Sequence, residues 1–368
     1  MHMADALISP AIGASMYAVS AAAVAVSAAK IKKPDLSESK IPLMAVSGAM
    51  VFAAQMINFT IPATGSSGHI GGGILLAAML GPYAGLLALA AVLIIQCLCF
   101  ADGGLLALGC NIFNMGVIPC LLAYPLVFKT IAFRKNPVTA STVSEHSTGS
   151  AKQSKSAHFR ITIASVIAVI LALQIGAFGV VLETSASGIA ELPLSSFIIL
   201  MQPIHLAIGV VEGIVTAAIL NFIYAARPEI LTNAAFPHHS NAVIPGSDPG
   251  SSPSTQKKSM RPILIVLASA TLITAIALSL LASANPDGLE WSIGKITGQT
   301  ELDAEGRVFS LLSGIQERLS FMPDYDFKSG SGSGTSVAGI VGGALTFALA
   351  GAAGLCIHLF KRKRRTEA

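Results

Sequence analysis

Tyr83-Ala84-Gly85-Leu86-Leu87-Ala88-Leu89-Ala90-Ala91-Val92-Leu93-Ile94-Ile95-Gln96-Cys97-Leu98-Cys99-Phe100 is an apolar stretch of 18 residues without a charge. Wound as an α-helix it would be about 27 Å long, close to the roughly 30 Å hydrocarbon core of a bilayer. It is apolar all round, as a helix enclosed by lipid and other helices must be. Comparable runs recur on both sides of it, at about Leu7 to Ala29, Ile41 to Thr60, Leu105 to Phe128, Phe159 to Leu182, Ser196 to Ala226, Pro262 to Ala282 and Val337 to Phe360. A shorter apolar helix is expected to reach Leu80, where Gly81-Pro82 breaks it. That makes nine segments, seven before residue 227 and two after it. The composition agrees: of 368 residues 53% are hydrophobic and 11% charged, against about 25% charged in soluble domains. The expectation is an all-α polytopic membrane protein. A seven-helix module is followed by two C-terminal transmembrane helices joined through an extracytoplasmic segment.

Polar stretches divide the chain. Residues 136–158 read as a Ser/Thr/Lys-rich loop, and the Pro, Ser and Gly after Arg227 read as a cytoplasmic linker. The expected domains are therefore 1–226, a linker at 227–260, and 261–368. With the N-terminus outside, 19 of the 23 Lys and Arg residues flank the inner ends of the spans, whereas the outer segment 283–336 holds eight acids and four bases. The positive-inside rule thus predicts an outer N-terminus and a cytoplasmic C-terminus.

Several classes are excluded on the residues alone. The basic residues sit in short clusters beside apolar runs, so the net charge of +4 does not point to a nucleic-acid partner. The five cysteines form no CxxC pair and read as small apolar helix residues. No Gly-x-x-x-x-Gly-Lys-Ser/Thr occurs, so ATP-driven work would need other chains, and no His-Glu-x-x-His suggests a metalloprotease. The chain is not read as an enzyme.

The first residues, Met1-His2-Met3-Ala4-Asp5, carry a different signal. No cleavable signal peptide is expected, and the bulky His2 favours retention of Met1. A free Met1 amine, the His2 amide and the His2 imidazole then form three nitrogens in chelating positions. A fourth is offered by His69 in the loop Ile61-Pro62-Ala63-Thr64-Gly65-Ser66-Ser67-Gly68-His69-Ile70-Gly71-Gly72-Gly73, which is too rich in Gly and Pro for helix. The charge count puts both histidines on the outer face. Planar nitrogen ligation suits Ni(II) or Cu(II) rather than tetrahedral zinc. The bland alternative is a solvated His2 and a His69 that caps a helix. Asp5 stands near enough to steady an imidazole or the amine, while Ser67 and Gly68 lead into His69. His205 and Glu212 lie seven residues apart on one helix face. An intramembrane carboxylate is a functional or pairing site; the two readings are a network supporting the loop, with Asn58, Asn111 and Asn114 as partners, or a proton path.

The segments Met1-His2-Met3-Ala4-Asp5, Ser67-Gly68-His69-Ile70-Gly71-Gly72, Leu108-Gly109-Cys110-Asn111-Ile112-Phe113-Asn114-Met115-Gly116 and His205-Leu206-Ala207-Ile208-Gly209-Val210-Val211-Glu212-Gly213 resemble the CbiM/NikM family. Its members are substrate-binding (S) components of energy-coupling-factor cobalt and nickel transporters. The resemblance covers about residues 1–226, with one departure: Asp5-Ala6 stands where the family usually reads Asp-Gly. It implies a seven-helix module and square-planar ligation of Ni(II), or Co(II), by the Met1 amine, the His2 amide and imidazole, and the His69 imidazole. No organic cofactor is implied. The implied partners are a membrane coupling (T) protein and two ABC-type ATPase subunits, in a prokaryotic inner membrane. Asn285-Pro286-Asp287-Gly288-Leu289-Glu290 and Met322-Pro323-Asp324-Tyr325-Asp326-Phe327 resemble the CbiN/NikN accessory subunit with its PDGLE segment. By that resemblance the fused part aids metal loading without ligating, and Asp287 and Glu290 are not read as a metal site of their own. The alternative function is a self-sufficient proton-coupled metal permease that uses Glu212 and His205.

Overall fold

The computed structural model describes residues 2–31, 40–133, 148–236, 259–328 and 334–366. Helix α1 (Pro10–Lys30) begins where local chemistry dictates: Ser9 caps it by accepting the Ile12 N–H at 3.5 Å, and Pro10 occupies the first turn. Its buried residues are small, Gly13, Ser20 and Ser27, so most of its surface is left for lipid. Helix α2 (Lys40–Gln55) is the reverse, with nearly every residue from Leu43 to Gln55 inside the core. It stops short of the expected Thr60 because the chain turns into an antiparallel ribbon, β1 (Phe59–Ile61) against β2 (Ser66–Gly68), in register Phe59↔Gly68.

Helix α3 (Gly73–Leu80) follows. Eight residues make only about 12 Å, so the third expected segment is a half-helix. The loop that carries His69 occupies the other half of its track. Irregular backbone at such depth persists only when protein encloses it, and Ser66, Ser67, Gly68 and His69 are all buried. Helix α4 (Pro82–Phe100) is the stretch quoted at the outset and is mostly buried. In helix α5 (Leu108–Ala132) the middle, Phe113–Phe128, adopts the wider π pattern. It contains Pro119 and Pro125, which lack the N–H an α ladder needs.

Helices α6 (Thr148–Ser187) and α7 (Leu194–Ala226) pack closely as an antiparallel pair. A Cβ on Gly213 would stand 2.8 Å from the Val166 Cα, so glycine permits the approach. Helix α6 starts before the expected Phe159, since the run from Thr148 contains no proline. Part of the expected linker is also helical: α8 (Pro228–Ala235) buries Ile230, Leu231, Ala234 and Ala235. Residues 237–258 of that linker and 136–147 of the expected loop lie outside the described residues.

The C-terminal part comprises α9 (Arg261–Ile276), α10 (Gly288–Thr297), α11 (Arg307–Leu319) and α12 (Thr335–Thr366). Helix α12 lies against α2 and α9, with Gly342 on the Phe52 ring and Gly339 on Ala275. Helix α11 reaches the end of α4, where Gln316 Nε2 donates to the carbonyls of Cys97 (3.0 Å) and Gly103 (2.8 Å). Tyr325 stacks on Phe100 with centroids 5.0 Å apart and its hydroxyl donates to Asp102. Among the described residues six helices are long and apolar enough to cross a membrane, while α2 and α9 are shorter at 16 residues each. The protein is an all-α polytopic membrane protein.

Candidate metal centre

Met1 lies outside the described residues, and His2 is the first of those described. The chain on either side of it is fixed by backbone clamps. The Asn111 side chain accepts the Met3 N–H at 2.8 Å and returns a bond to the Met3 carbonyl at 3.3 Å. That carbonyl also accepts the Gly104 N–H at 2.8 Å. Asp5 Oδ1 accepts the Ala107 N–H at 3.0 Å, while burial raises the Asp5 carboxyl pKa against the pull of these backbone donors. Asp5 therefore fastens the N-terminal segment to the turn before α5. The carboxylate that meets the imidazole is that of Asp102, whose Oδ1 stands 3.1 Å from His2 Nδ1.

Gly104 makes that fastening possible. A Cβ there would fall 1.9 Å from Asp5 Oδ1 and 2.4 Å from the Asp5 backbone nitrogen. Backbone cannot yield as a side-chain tip can, so Gly104→Ala is expected to push residues 2–5 off their seat. We expect nickel affinity, measured by calorimetry, to fall roughly tenfold or more; an unchanged affinity would mean that this seating is irrelevant to the metal.

The His2 and His69 rings stack, with centroids 5.0 Å apart and planes inclined by 15°. Burial holds both imidazoles below their ordinary pKa, opposed by the charges of Asp102 and Asp287 at His2 and of Asp287 at His69. Neutral imidazoles are the form that ligates metal. His2 Nε2 is buried without a hydrogen-bond partner.

The loop that carries His69 is held from beneath. Gln55 Nε2 donates to the Gly71 carbonyl at 2.8 Å, and Glu212 Oε1 accepts the Gly72 N–H at 2.9 Å. Gly68 lies so close to Ile208 that a Cβ would reach 2.5 Å from its Cγ1. His205 Nδ1 is 2.8 Å from the Met201 carbonyl of its own helix, and Asn114 Nδ2 donates to Glu183 at 2.8 Å. A small cavity of about 30 Å³ behind His69 is lined by His205, Glu212, Asn114 and Asp287 among others. His205 Nε2, Glu212 Oε2 and Asn114 Oδ1 are buried without partners. Asn58 is held elsewhere, its backbone carbonyl accepting the Ser283 N–H at 2.7 Å.

The C-terminal part closes over this loop. The Ser67 N–H and hydroxyl donate to the carbonyls of Pro286 and Asn285, both at 2.8 Å, and Trp291 Nε1 donates to the Thr64 carbonyl at 2.9 Å. Asp287 caps α10, accepting the N–H groups of Leu289 and Glu290, while Glu290 accepts the Asp287 N–H at 2.9 Å. Asp102 and Asp287 are the two groups that sequence reasoning missed. In the sequence Asp102 stands in the turn Ala101-Asp102-Gly103-Gly104, and Asp287 in the PDGLE-like segment, where it is not read as a metal site. Proximity in space is the only signal that separates them from the other acids.

A family model described as the cobalt uptake substrate-specific transmembrane region matches residues 2–230. The chain belongs to the CbiM family. Residues 261–359 match the PDGLE domain, so the CbiM module is followed by a PDGLE domain in one polypeptide. A relative from Archaeoglobus fulgidus, provisionally named a fused nickel transport protein NikMN, is 35% identical over 240 residues, which cover 64% of this chain and 70% of that protein. The fused nickel transport protein NikMN of Rhodobacter capsulatus is 30% identical over 239 residues, covering 63% and 64%. A cobalt transport protein CbiM from Sorangium cellulosum is 28% identical over 190 residues, covering 52% and 76%.

Proposed function

We propose that this chain is the substrate-capture component of an energy-coupling-factor importer for Ni(II), or Co(II), with the ion held at an outward-facing N-terminal chelate. The observation that carries the proposal is the buried stack of His2 on His69, rings 5.0 Å apart, flanked by Asp102. The Met1 amine and the His2 amide close a five-membered ring on the ion, and the amide and Nδ1 close a six-membered one. Nδ1 is the nitrogen that faces Asp102, so the arriving cation takes the place of a hydrogen bond already formed there. His69 supplies the fourth nitrogen. Planar ligation of this kind favours nickel over cobalt, and loss of the amide proton makes binding weaken in acid. Asp102 and Asp287 offset the positive charge that the ion brings into a buried site.

Directional uptake then depends on other subunits, a membrane coupling (T) protein and two ABC-type ATPases, since the sequence carries no P-loop. The N-terminus faces outward and the C-terminus the cytoplasm. The PDGLE segment aids loading as a cover over the Ser67–His69 loop, to which its backbone is bonded.

A proton-coupled permease is the second reading, favoured by the unpartnered His205 Nε2 and Glu212 Oε2 around one cavity. The bond from the Gly72 N–H to Glu212 supports a structural role instead. Uptake of radioactive nickel into reconstituted vesicles decides between them. With coupling protein and ATPases present, uptake is expected to require ATP, and Glu212→Gln, which keeps an acceptor oxygen, to retain it within about threefold. Uptake by this chain alone, dissipated by an uncoupler and abolished by Glu212→Gln, would establish the permease.

A further inference from the structure

At the end of the bundle away from His2 there is a second cavity, of about 240 Å³. Helix α1 separates the two ends: its first residue is Pro10 and its last is Lys30, about 30 Å apart for 21 residues. The cavity is bounded by the end of α1, the α3–α4 junction at Gly81, the end of α5, and α8. Among the described residues its lining includes Lys30, Lys40 and Lys129 and no acid. The ammonium groups of Lys30 and Lys129 lie over the rings of Tyr83 (5.6 Å) and Phe236 (4.7 Å).

Two further features point inward to a ligand. The first turn of α4, a helix of 19 residues, opens onto this cavity through Pro82, Tyr83 and Ala84 and has no side-chain cap, because Gly81 occupies the cap position. Its N–H groups and the positive end of the helix dipole favour an anion. Tyr124 lines the same cavity, is 1% exposed, and its hydroxyl has no hydrogen-bond partner. A buried hydroxyl without a partner is costly. It is satisfied at once by a ligand oxygen.

We propose that this cavity binds the phosphate group of an anionic phospholipid headgroup. The charge, the uncapped helix turn and the buried hydroxyl together match a phosphate oxygen set, and the position at the ends of α1 and α5 is where headgroups lie. Basic pockets between transmembrane helices are recurrent sites for such lipids. A soluble phosphate would share the chemistry, and the test separates the two sources.

The full-length chain in detergent is to be examined by native mass spectrometry with phosphatidylglycerol, phosphatidylcholine or inorganic phosphate. Phosphatidylglycerol is expected to be retained at least tenfold better than phosphatidylcholine. The double variant Lys30→Gln, Lys129→Gln should weaken it about 25-fold, at about fivefold per lysine, and Tyr124→Phe about fivefold. Nickel binding at the opposite end reports that the variants fold. Should the lysine variant fail that control, Tyr124→Phe alone carries the test. Saturable binding of inorganic phosphate, lost in the variants, with no lipid preference, supports the site with a soluble occupant. Equal retention of both lipids without phosphate binding, or a preference unchanged in the variants, overturns the proposal.

Discussion

Insertion of one leucine between Met1 and His2, bulky enough at position 2 to keep Met1 in place, is expected to make nickel binding independent of His69 and to stop uptake. In the natural order the terminus offers three nitrogens, so a planar site must recruit His69, whose ring stacks on that of His2. With Met-Leu-His the terminus offers four by itself: the amine, two amides and the imidazole. The ion is then bound by a peptide tail with no call on the loop. Calorimetry should find His69→Ala neutral in the inserted background, and vesicle uptake should be absent in both. Continued dependence on His69 after the insertion would show that the terminal amine and amide are not ligands.

The second large effect is that of His69→Ala in the unaltered chain. On the proposed ligand set, loss of one donor of four leaves a three-nitrogen site with an open position, and nickel affinity is expected to fall on the order of a hundredfold, at the top of the ten- to hundredfold range typical of outer-shell changes. The absorption band of planar four-nitrogen nickel should vanish with it. His69 also lies on a loop pinned by Gln55, Glu212 and the PDGLE segment. The melting temperature of the variant is the control, because a ligand can be removed without unseating a loop so held. A retained band at full intensity would exclude His69 from the centre.

Much of this was legible in the sequence. Apolar runs announce helices because a bilayer offers no hydrogen bonds to unpaired backbone, and α4 matches its expected stretch nearly residue for residue. The broken track around His69 was legible for the complementary reason, its glycines and proline. What the residues could not disclose is depth and company. The α3 half-helix looks like a short span until its neighbours place His69 inside the protein. Asn111 reads from the sequence as a partner in a network supporting the His69 loop; only the fold reveals that it grips both backbone groups of Met3 instead. Asp287 lies over two hundred residues from His2 in the chain, and no local pattern encodes their approach.

The bond between Ser67 and Pro286 bears on how such a protein can be regulated. A separate accessory subunit would dock on the loop by collision, and its occupancy would follow how much of it the cell made. Here the cover is tethered to what it covers, at an effective concentration of about millimolar order. Dilution cannot strip it, and gene dosage cannot unbalance it. On the proposed function, a cover that is always present admits metal by local opening of a few hydrogen bonds, so the speed of loading becomes a property of the Ser67–Pro286 and Thr64–Trp291 bonds rather than of subunit supply.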